Sequence, residues 1–230
     1  MKWQACMRGW TSSVIIKATF LNSQQVLRGL FNPLVFILCL WPATYLAYAV
    51  YLAYTGGENL LGPDPAKFLS LETGEWSIRM LVLALAVTPL RYLLNQPYLW
   101  KLRRMLGLYV LFYASLHFLV FLAFLLGWRW QELGHEIVER PYITLGFLAF
   151  VLLIPLGLTS FQYAQRKLGK KWKLLHRLVY LISVLAVFHI IWIVRSSIGD
   201  AVLYGGLVAL LLGYRLLRKL SARVRKFSFF

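Results

Sequence analysis

The sequence predicts an all-α integral membrane protein, a bundle of six transmembrane helices with both termini in the cytoplasm. Of its 230 residues, 60% are hydrophobic and only 14% are charged, which exceeds the apolar share usual in a soluble domain. Six apolar stretches are each long enough to cross a bilayer, which takes roughly 20 residues. The 25 Lys and Arg residues lie in short patches between these stretches, a pattern typical of membrane topology and not of nucleic-acid binding.

The six spans are placed at residues 34–54, 76–94, 105–126, 142–161, 174–194 and 201–217. Turn-forming residues separate some of them, namely the Gly56-Gly57 pair, the Gly-Pro-Asp-Pro cluster at 62–65, and Pro97. Several tryptophans fall near span ends, as an interfacial belt places them. Spans one, two and four contain Pro42, Pro89 and Pro155, and we expect these prolines to kink the helices.

The distribution of charge predicts the orientation. With a cytoplasmic N-terminus, 20 of the 25 Lys and Arg residues lie in the two tails, in the loops after spans two and four, or in the span ends that adjoin them, and all eight acidic residues lie outside. This is the positive-inside arrangement. The chain accordingly divides into a basic N-terminal tail (1–32), a six-helix transmembrane domain (33–218) and a basic C-terminal tail (219–230). No dinucleotide-binding or P-loop motif occurs, so we expect no NAD(P)H module of its own.

Three of the four histidines lie in apolar stretches, where imidazoles are costly and by default mark a redox, proton or metal site. His117 is 12 residues into span three and His189 is 15 residues into span five. Both spans run outward, so the two side chains lie roughly 18 and 22 Å from the inner face. This similar depth predicts that they are the two axial ligands of one haem iron, clamped between two helices in the outer half of the membrane.

His176 begins span five near the inner face, roughly 20 Å from His189 along the helix axis, which would suit a second haem. Thirteen residues of straight helix rotate about 140° off the starting face, so both histidines face one core only if the helix is bent or bulged, or if the haems approach from different sides. Arg103 stands 14 residues before His117 on nearly the same face, and we expect it to pair with a haem propionate. The inner haem would then be five-coordinate, use another ligand, or be absent.

The alternative for each of these histidines is a hydrogen bond to a neighbouring helix. His135, the fourth, stands among glutamates in the outer loop after span three, and we interpret it as a solvated loop residue.

Several strings then resemble one family in order: LGPDPAKFLSLETGEW (61–76), LAVTPLRYL (85–93), RRMLGLYVLFYASLHF (103–118), RPYITLGF (140–147) and LTSFQYAQRKLGKKWKLLHRLVYL (158–181). They resemble the MsrQ (YedZ) family, the haem-binding membrane subunits of the bacterial MsrPQ methionine sulfoxide reductase system. That family belongs to the ferric-reductase-like transmembrane group, which includes the NADPH oxidase membrane domain. The likeness covers about residues 30–218.

The resemblance implies one or two b-type haems, with iron ligands at His117, His176 and His189, and it implies FMN binding. It further implies an electron-transfer subunit of the bacterial inner membrane that takes electrons from the quinone pool. The acceptor would be a periplasmic molybdopterin subunit, bound as a heterodimer, that reduces methionine sulfoxide in oxidised periplasmic proteins. Arg103 stands where the NADPH oxidases have a histidine, which leaves the second ligand of an inner haem undefined.

Two other functions stay open at this stage. One is a membrane ferric or cupric reductase acting directly on an outer metal, and the other is a non-redox small transporter or assembly factor. The number of haems, the quinone site, the immediate electron donor and the oligomeric state are not fixed by the residues alone.

Overall fold

A computed structural model describes the backbone of residues 2–193 and 198–227, and the side chains within 29–193 and 199–221. The described residues are almost entirely helical and contain no strand. The helices are α1 (Lys2–Thr55), α2 (Pro65–Leu93), α3 (Trp100–Val120), α4 (Trp130–Glu139), α5 (Pro141–Leu158), α6 (Gln162–Leu168), α7 (Lys170–Leu175), α8 (Leu178–Ile193) and α9 (Ile198–Phe227). A 3₁₀ turn (Pro97–Leu99) precedes α3, and a π-helical segment (Phe121–Leu125) follows it.

Within the described residues, six helical stretches are long and apolar enough to cross a membrane, which confirms the predicted number of spans. They are Gly29–Thr55, Pro65–Leu93, Pro97–Leu125, Pro141–Leu158, Lys170–Ile193 and Gly199–Ser221. The second begins 11 residues before the predicted start of that span at 76. The other ends differ from the predictions by up to eight residues, because polar residues that cap or extend a span carry no apolar signal.

The early start of α2 follows from its cap. Asp64 accepts a hydrogen bond from the Lys67 backbone N–H through its side chain (3.1 Å), and Pro65 occupies the first helical position, where its missing N–H is harmless. Glu72 and Glu75, which precede the predicted start of this span, therefore lie within the helix.

The contacts divide the chain into two units, Met1–Tyr45 and Leu46–Phe230. The first unit is helical over all its described residues and contains Pro33 and Pro42. Helix α1 continues without interruption through residue 32, where the tail was expected to end. The basic side chains of the N-terminal tail lie outside the described side chains, as do most of those in the C-terminal tail at 219–230.

Within the second unit, the bundle consists of packed helix pairs. Helix α2 packs along α3, α5 packs along α8, and α9 packs against both α2 and α8. Leu85, Val208 and Leu211 form a buried cluster between α2 and α9. A hydrogen bond also joins α2 and α9. The Tyr204 hydroxyl donates to the Glu75 carboxylate (2.9 Å), which also forms an ion pair with Arg79 (2.5 Å). These contacts provide polar partners for charged side chains that would be costly to place unpaired in a membrane span.

Candidate functional site

The structure brings His117 and His189 together. The two ring centroids are 6.2 Å apart and the ring planes are inclined at 81°. His117 comes from α3 and His189 from α8, and neither side chain is fully exposed. The two imidazoles predicted to share one depth in the membrane are thus direct neighbours.

Each of the two imidazoles is held by a backbone carbonyl of another helix. The Nδ1 of His117 lies 2.8 Å from the Ser70 carbonyl oxygen on α2, and the Nδ1 of His189 lies 2.6 Å from the Tyr142 carbonyl oxygen on α5. A carbonyl oxygen can only accept, so each Nδ1 carries the proton and donates it. This fixes the tautomer in which the Nε2 lone pair is available to a metal.

Two glycines lie against these rings. A Cβ atom built on Gly74 would stand 3.1 Å from the Nδ1 of His117, and one built on Gly146 would stand 2.6 Å from the Cε1 of His189. The first distance is tighter than usual and the second is a clash. The two imidazoles therefore occupy space that only glycine leaves on α2 and α5.

The separation of the two rings fits a shared metal. A metal–nitrogen bond to imidazole is about 2 Å long, and a ring centre lies about 1 Å behind its Nε2, so two imidazoles on opposite sides of one ion have centres about 6 Å apart. The observed separation is 6.2 Å. Nδ1–H groups that donate to carbonyls are also the usual outer-shell arrangement of metal-binding histidines. The residues present thus fit an iron held by two axial imidazoles.

His176 stands in a different environment, at a break in the fifth span. Helix α7 ends at Leu175, His176 and Arg177 form a turn, and α8 begins at Leu178. Of the two alternatives for placing His176 and His189, a bent helix or haems on different sides, the structure shows the first, as an interruption of the helix at His176. It arises within the sequence LLHRL, which contains neither proline nor glycine.

The His176 ring is clamped, yet one of its nitrogens has no partner. The ring stacks on Trp172 with centroids 4.0 Å apart, and its Nδ1 lies 3.1 Å from the Trp172 carbonyl oxygen. The Trp172 indole N–H donates in turn to the Thr159 carbonyl oxygen (2.9 Å). The Nε2 of His176 is buried and makes no hydrogen bond of normal geometry, although the Leu156 backbone lies near the ring. A buried polar atom without a partner is costly, and a metal ligand is one group that would satisfy it.

Basic side chains surround this second position. Arg103 lies close enough to both His176 and Arg215 for their charges to interact. The Arg215 guanidinium turns inward and donates to the Leu85 carbonyl oxygen (2.5 Å) and the Thr88 hydroxyl (3.0 Å). Among the described side chains, no ion pair involves Arg103. The local excess of positive charge is suited to an anionic group such as a carboxylate.

His135 is exposed, as predicted, but it lies in helix α4 and not in a loop. Its Nε2 is 2.9 Å from the Glu139 carboxylate, one turn further along the helix. Arg140 pairs with Glu136 in the same way (3.0 Å), and such spacing supports a short surface helix. No cluster of three or more His, Cys, Asp or Glu side chains suited to a metal occurs among the described residues, so the histidines at 117, 176 and 189 remain the candidate iron ligands.

Sequence reasoning missed the two glycines and the two carbonyls that hold the histidines. Backbone carbonyls carry no residue signature, so Ser70 and Tyr142 gave no sign of their role. The glycines could have been found, because each stands 43 residues before its histidine. Arg215 was also missed as an internal residue, since it stands at the end of span six and opens a run of basic residues that continues into the C-terminal tail.

Comparisons with known proteins relate most of the chain to one group of membrane proteins. Residues 73–187 match the family described as ferric reductase like transmembrane component. The protein-methionine-sulfoxide reductase heme-binding subunit MsrQ of Xanthomonas euvesicatoria pv. vesicatoria (strain 85-10) is 45% identical over 190 residues, covering 83% of this chain and 87% of the relative. The protein with the same description from Polaromonas naphthalenivorans (strain CJ2) is 42% identical over 187 residues, covering 80% and 83%.

A further relative with that description, from Xanthomonas campestris pv. campestris (strain B100), is 46% identical over 182 residues, covering 79% of this chain and 84% of its own. No solved structure matches the chain. The six spans and these relatives identify a multi-pass protein of the bacterial inner membrane. At this level of identity over most of both chains, the chain belongs to the MsrQ family of ferric-reductase-like transmembrane proteins.

Proposed function

We propose that this chain is a b-type haem subunit that carries electrons across the inner membrane. They come from the quinone pool and pass to a periplasmic molybdopterin subunit that reduces methionine sulfoxide in oxidised proteins. The relatives named above are described as haem-binding subunits of a protein-methionine-sulfoxide reductase. On this proposal the chain is the electron-transfer partner in a heterodimer and does not itself bind the sulfoxide.

The observation that carries the proposal is the His117–His189 pair. Both rings are fixed by Nδ1–H donation to a carbonyl, which leaves both Nε2 atoms for iron at a ring separation of 6.2 Å. When bound, haem supplies one-electron redox chemistry. Held by both imidazoles, the iron would favour electron transfer over chemistry on oxygen. The chain contributes the ligands, their orientation and an apolar setting.

A second haem is proposed at His176. Its buried Nε2 has no hydrogen-bond partner, which is the condition expected of a ligand atom awaiting a metal. Arg103 would pair with a propionate of this haem, and its proximity to His176 supports that role. The second axial position of this iron has no imidazole candidate among the described residues, so we expect a five-coordinate iron or a ligand of another type.

The immediate donor and FMN are also parts of the proposal. The chain has no nucleotide-binding motif, which favours a quinol or a separate flavoprotein as donor. FMN binding rests on the family resemblance. Basic residues at the predicted inner rim, such as Lys170 and Lys171, would suit its phosphate. Flavin released from the purified protein by denaturation and quantified by its fluorescence tests this part directly.

The first prediction tests the ligand pair. We expect purified protein to show a b-type spectrum on reduction with dithionite, and we expect His117→Ala or His189→Ala to remove most of the haem bound at that site. His135→Ala is the matched control, because this imidazole is exposed and pairs only with Glu139. The measurement is haem per polypeptide, determined by pyridine haemochrome on protein of verified monodispersity.

Haem content equal to wild type in both variants would contradict the ligand assignment. A haem-free preparation from cells supplied with haem precursor would favour the transporter or assembly-factor alternative. Retained haem with reduction of ferric or cupric ions, and without electron delivery to the sulfoxide reductase subunit, would favour the metal reductase. Reduction of the haem by a quinol analogue, followed by oxidation on addition of that subunit, is the result expected here.

A further inference from the structure

The two histidine sites share one spacing. The hydrogen bond from His117 to the Ser70 carbonyl and the one from His189 to the Tyr142 carbonyl each join residues 47 apart in the sequence. Gly74 and Gly146, which face the same two rings, each precede their histidine by 43 residues. All three elements of one site thus recur in the other at a constant offset of 72 residues.

The same offset relates other residues of the two helix pairs. The tripeptide Trp-Lys-Leu at 100–102 recurs at 172–174. Leu81 and Leu153, also 72 residues apart, are both buried. The first unit of this repeat is α2 with α3, and the second is α5 with α7 and α8. Two helix pairs of the same chain thus present an imidazole, a carbonyl and a glycine in one register.

We infer that the outer haem site is a duplicated ligand-holding unit in which Gly74 and Gly146 act as positioning residues for His117 and His189. This inference rests on the proposed function, since it assigns what holds the ligands. The carbonyl accepting from Nδ1 lies four residues before the glycine on the same helix, so it lies on the same face one turn away. The absence of a Cβ there lets the edge of the imidazole reach that carbonyl.

The unit has two chemical consequences for a bound iron. Donation from Nδ1 to a carbonyl makes the imidazole a stronger electron donor and fixes its plane. The stronger donor stabilises ferric iron over ferrous, and so lowers the reduction potential. An alanine at either glycine would push the ring away from the carbonyl and weaken this hydrogen bond. It would also move Nε2 away from the position from which it would bind the iron.

The two glycines should not be equally sensitive. The Cβ of an alanine at 146 would lie 2.6 Å from Cε1 and 2.7 Å from Nδ1 of His189, whereas one at 74 would lie 3.1 Å from the nearest atom of His117. The first contact requires the ring to move, while the second requires a shift of a few tenths of an ångström. Gly107, on the same helix as His117, has nothing within 4 Å of its Cβ position and is the matched control.

The second prediction follows from this ranking. We expect Gly146→Ala to bind haem roughly 10–100-fold more weakly, the usual cost of losing an outer-shell partner, and to raise the reduction potential of the haem it retains. Gly74→Ala should show the same changes to a smaller degree, and Gly107→Ala should match wild type. Haem titration into haem-depleted protein and a spectroscopic redox titration measure these two quantities.

A double-variant comparison separates positioning from helix packing. If Gly146 serves the His189 ring, then Gly146→Ala should lower the thermal unfolding temperature of haem-free wild type, but not that of haem-free His189→Ala, where the ring is gone. Should Gly146→Ala prove too unstable to purify, Gly74→Ala in the wild-type and His117→Ala backgrounds carries the same test.

Two outcomes would overturn the inference. One is wild-type haem affinity and potential in both glycine variants. The other is a stability loss in Gly146→Ala that persists unchanged in the His189→Ala background. Failure of the proposed function has a different signature, because haem would then remain bound after His117→Ala and His189→Ala. Loss of haem in the histidine variants alone would leave the proposed function standing and reject the positioning role.

Discussion

At the scale of single residues, the three intramembrane histidines are held in two different ways. His117 and His189 each donate to a carbonyl of a different helix, across a sequence separation of 47 residues. His176 instead contacts a carbonyl one turn earlier in its own segment and stacks on Trp172. The outer pair is thus located by the tertiary fold, whereas His176 is located by a local turn. The two positions should therefore lose haem independently of each other.

The third prediction uses this independence. We expect His176→Ala to lower haem content from two per polypeptide to one, with the spectrum and potential of the remaining haem close to those of the outer site. Arg103→Met should weaken binding of the same haem, because it removes the charge proposed to pair with a propionate. Arg104→Met is the control, because the Arg104 side chain is exposed. The substitution removes the same charge from the neighbouring position.

The measurements are haem stoichiometry and a redox titration that resolves one or two components. If His176→Ala retained both components, the inner haem would have another ligand. If wild type itself held a single haem that survives His176→Ala, the second haem would be absent and His176 would serve the helix turn alone.

At the scale of helices, the irregular elements determine where the histidines stand. Gly169 ends α6 and precedes α7 with φ +52° and ψ −117°, a backbone conformation that only glycine adopts readily. The turn that follows at His176 separates α7 from α8. On α3, the π-helical segment begins four residues after His117, and such segments occur frequently at functional sites. Each span that supplies a ligand is therefore locally irregular near it.

The fourth prediction concerns Gly169. We expect Gly169→Ala to destabilise the protein by about 1–3 kcal/mol, the usual cost of a residue held in a disfavoured backbone region. Gly134 provides the control, because it lies inside α4 with a helical conformation and open space around its Cβ position. Gly134→Ala should be neutral or stabilising by up to about 1 kcal/mol. Thermal unfolding in detergent compares them, and equal unfolding temperatures for the two variants would show that the turn tolerates a side chain.

The sequence predicted some of these features and not others, for reasons that particular residues make clear. The approach of His117 and His189 was predictable because depth in a membrane span needs only the start and direction of each helix. The break at His176 was not, because nothing in its neighbourhood is a helix breaker. The helix around His135 was missed because Gly134 and a polar composition resemble a loop, while the pairing of Glu136 with Arg140 shows itself only in helical geometry.

At the scale of the whole molecule, the proposed direction of electron transfer depends on how the chain is oriented in the membrane. The short helix α4 and the turn between α6 and α7 lie in connections on opposite sides of the bilayer, since one span separates them. The first carries Glu132, Glu136 and Glu139, and the second carries a run of lysines and arginines. By the positive-inside rule we expect α4 in the periplasm. An acidic, exposed helix on that side would face a periplasmic partner.

The fifth prediction is the topology itself. We expect green fluorescent protein to fluoresce when fused after residue 230 or after residue 168, and alkaline phosphatase to be active when fused after residue 139, because the first folds in the cytoplasm and the second outside it. The matched fusions with the reporters exchanged are the controls. Active phosphatase at the C-terminus would reverse the orientation. His117 and His189 would then lie nearer the cytoplasmic face, and the outer pair could no longer deliver electrons to a periplasmic acceptor.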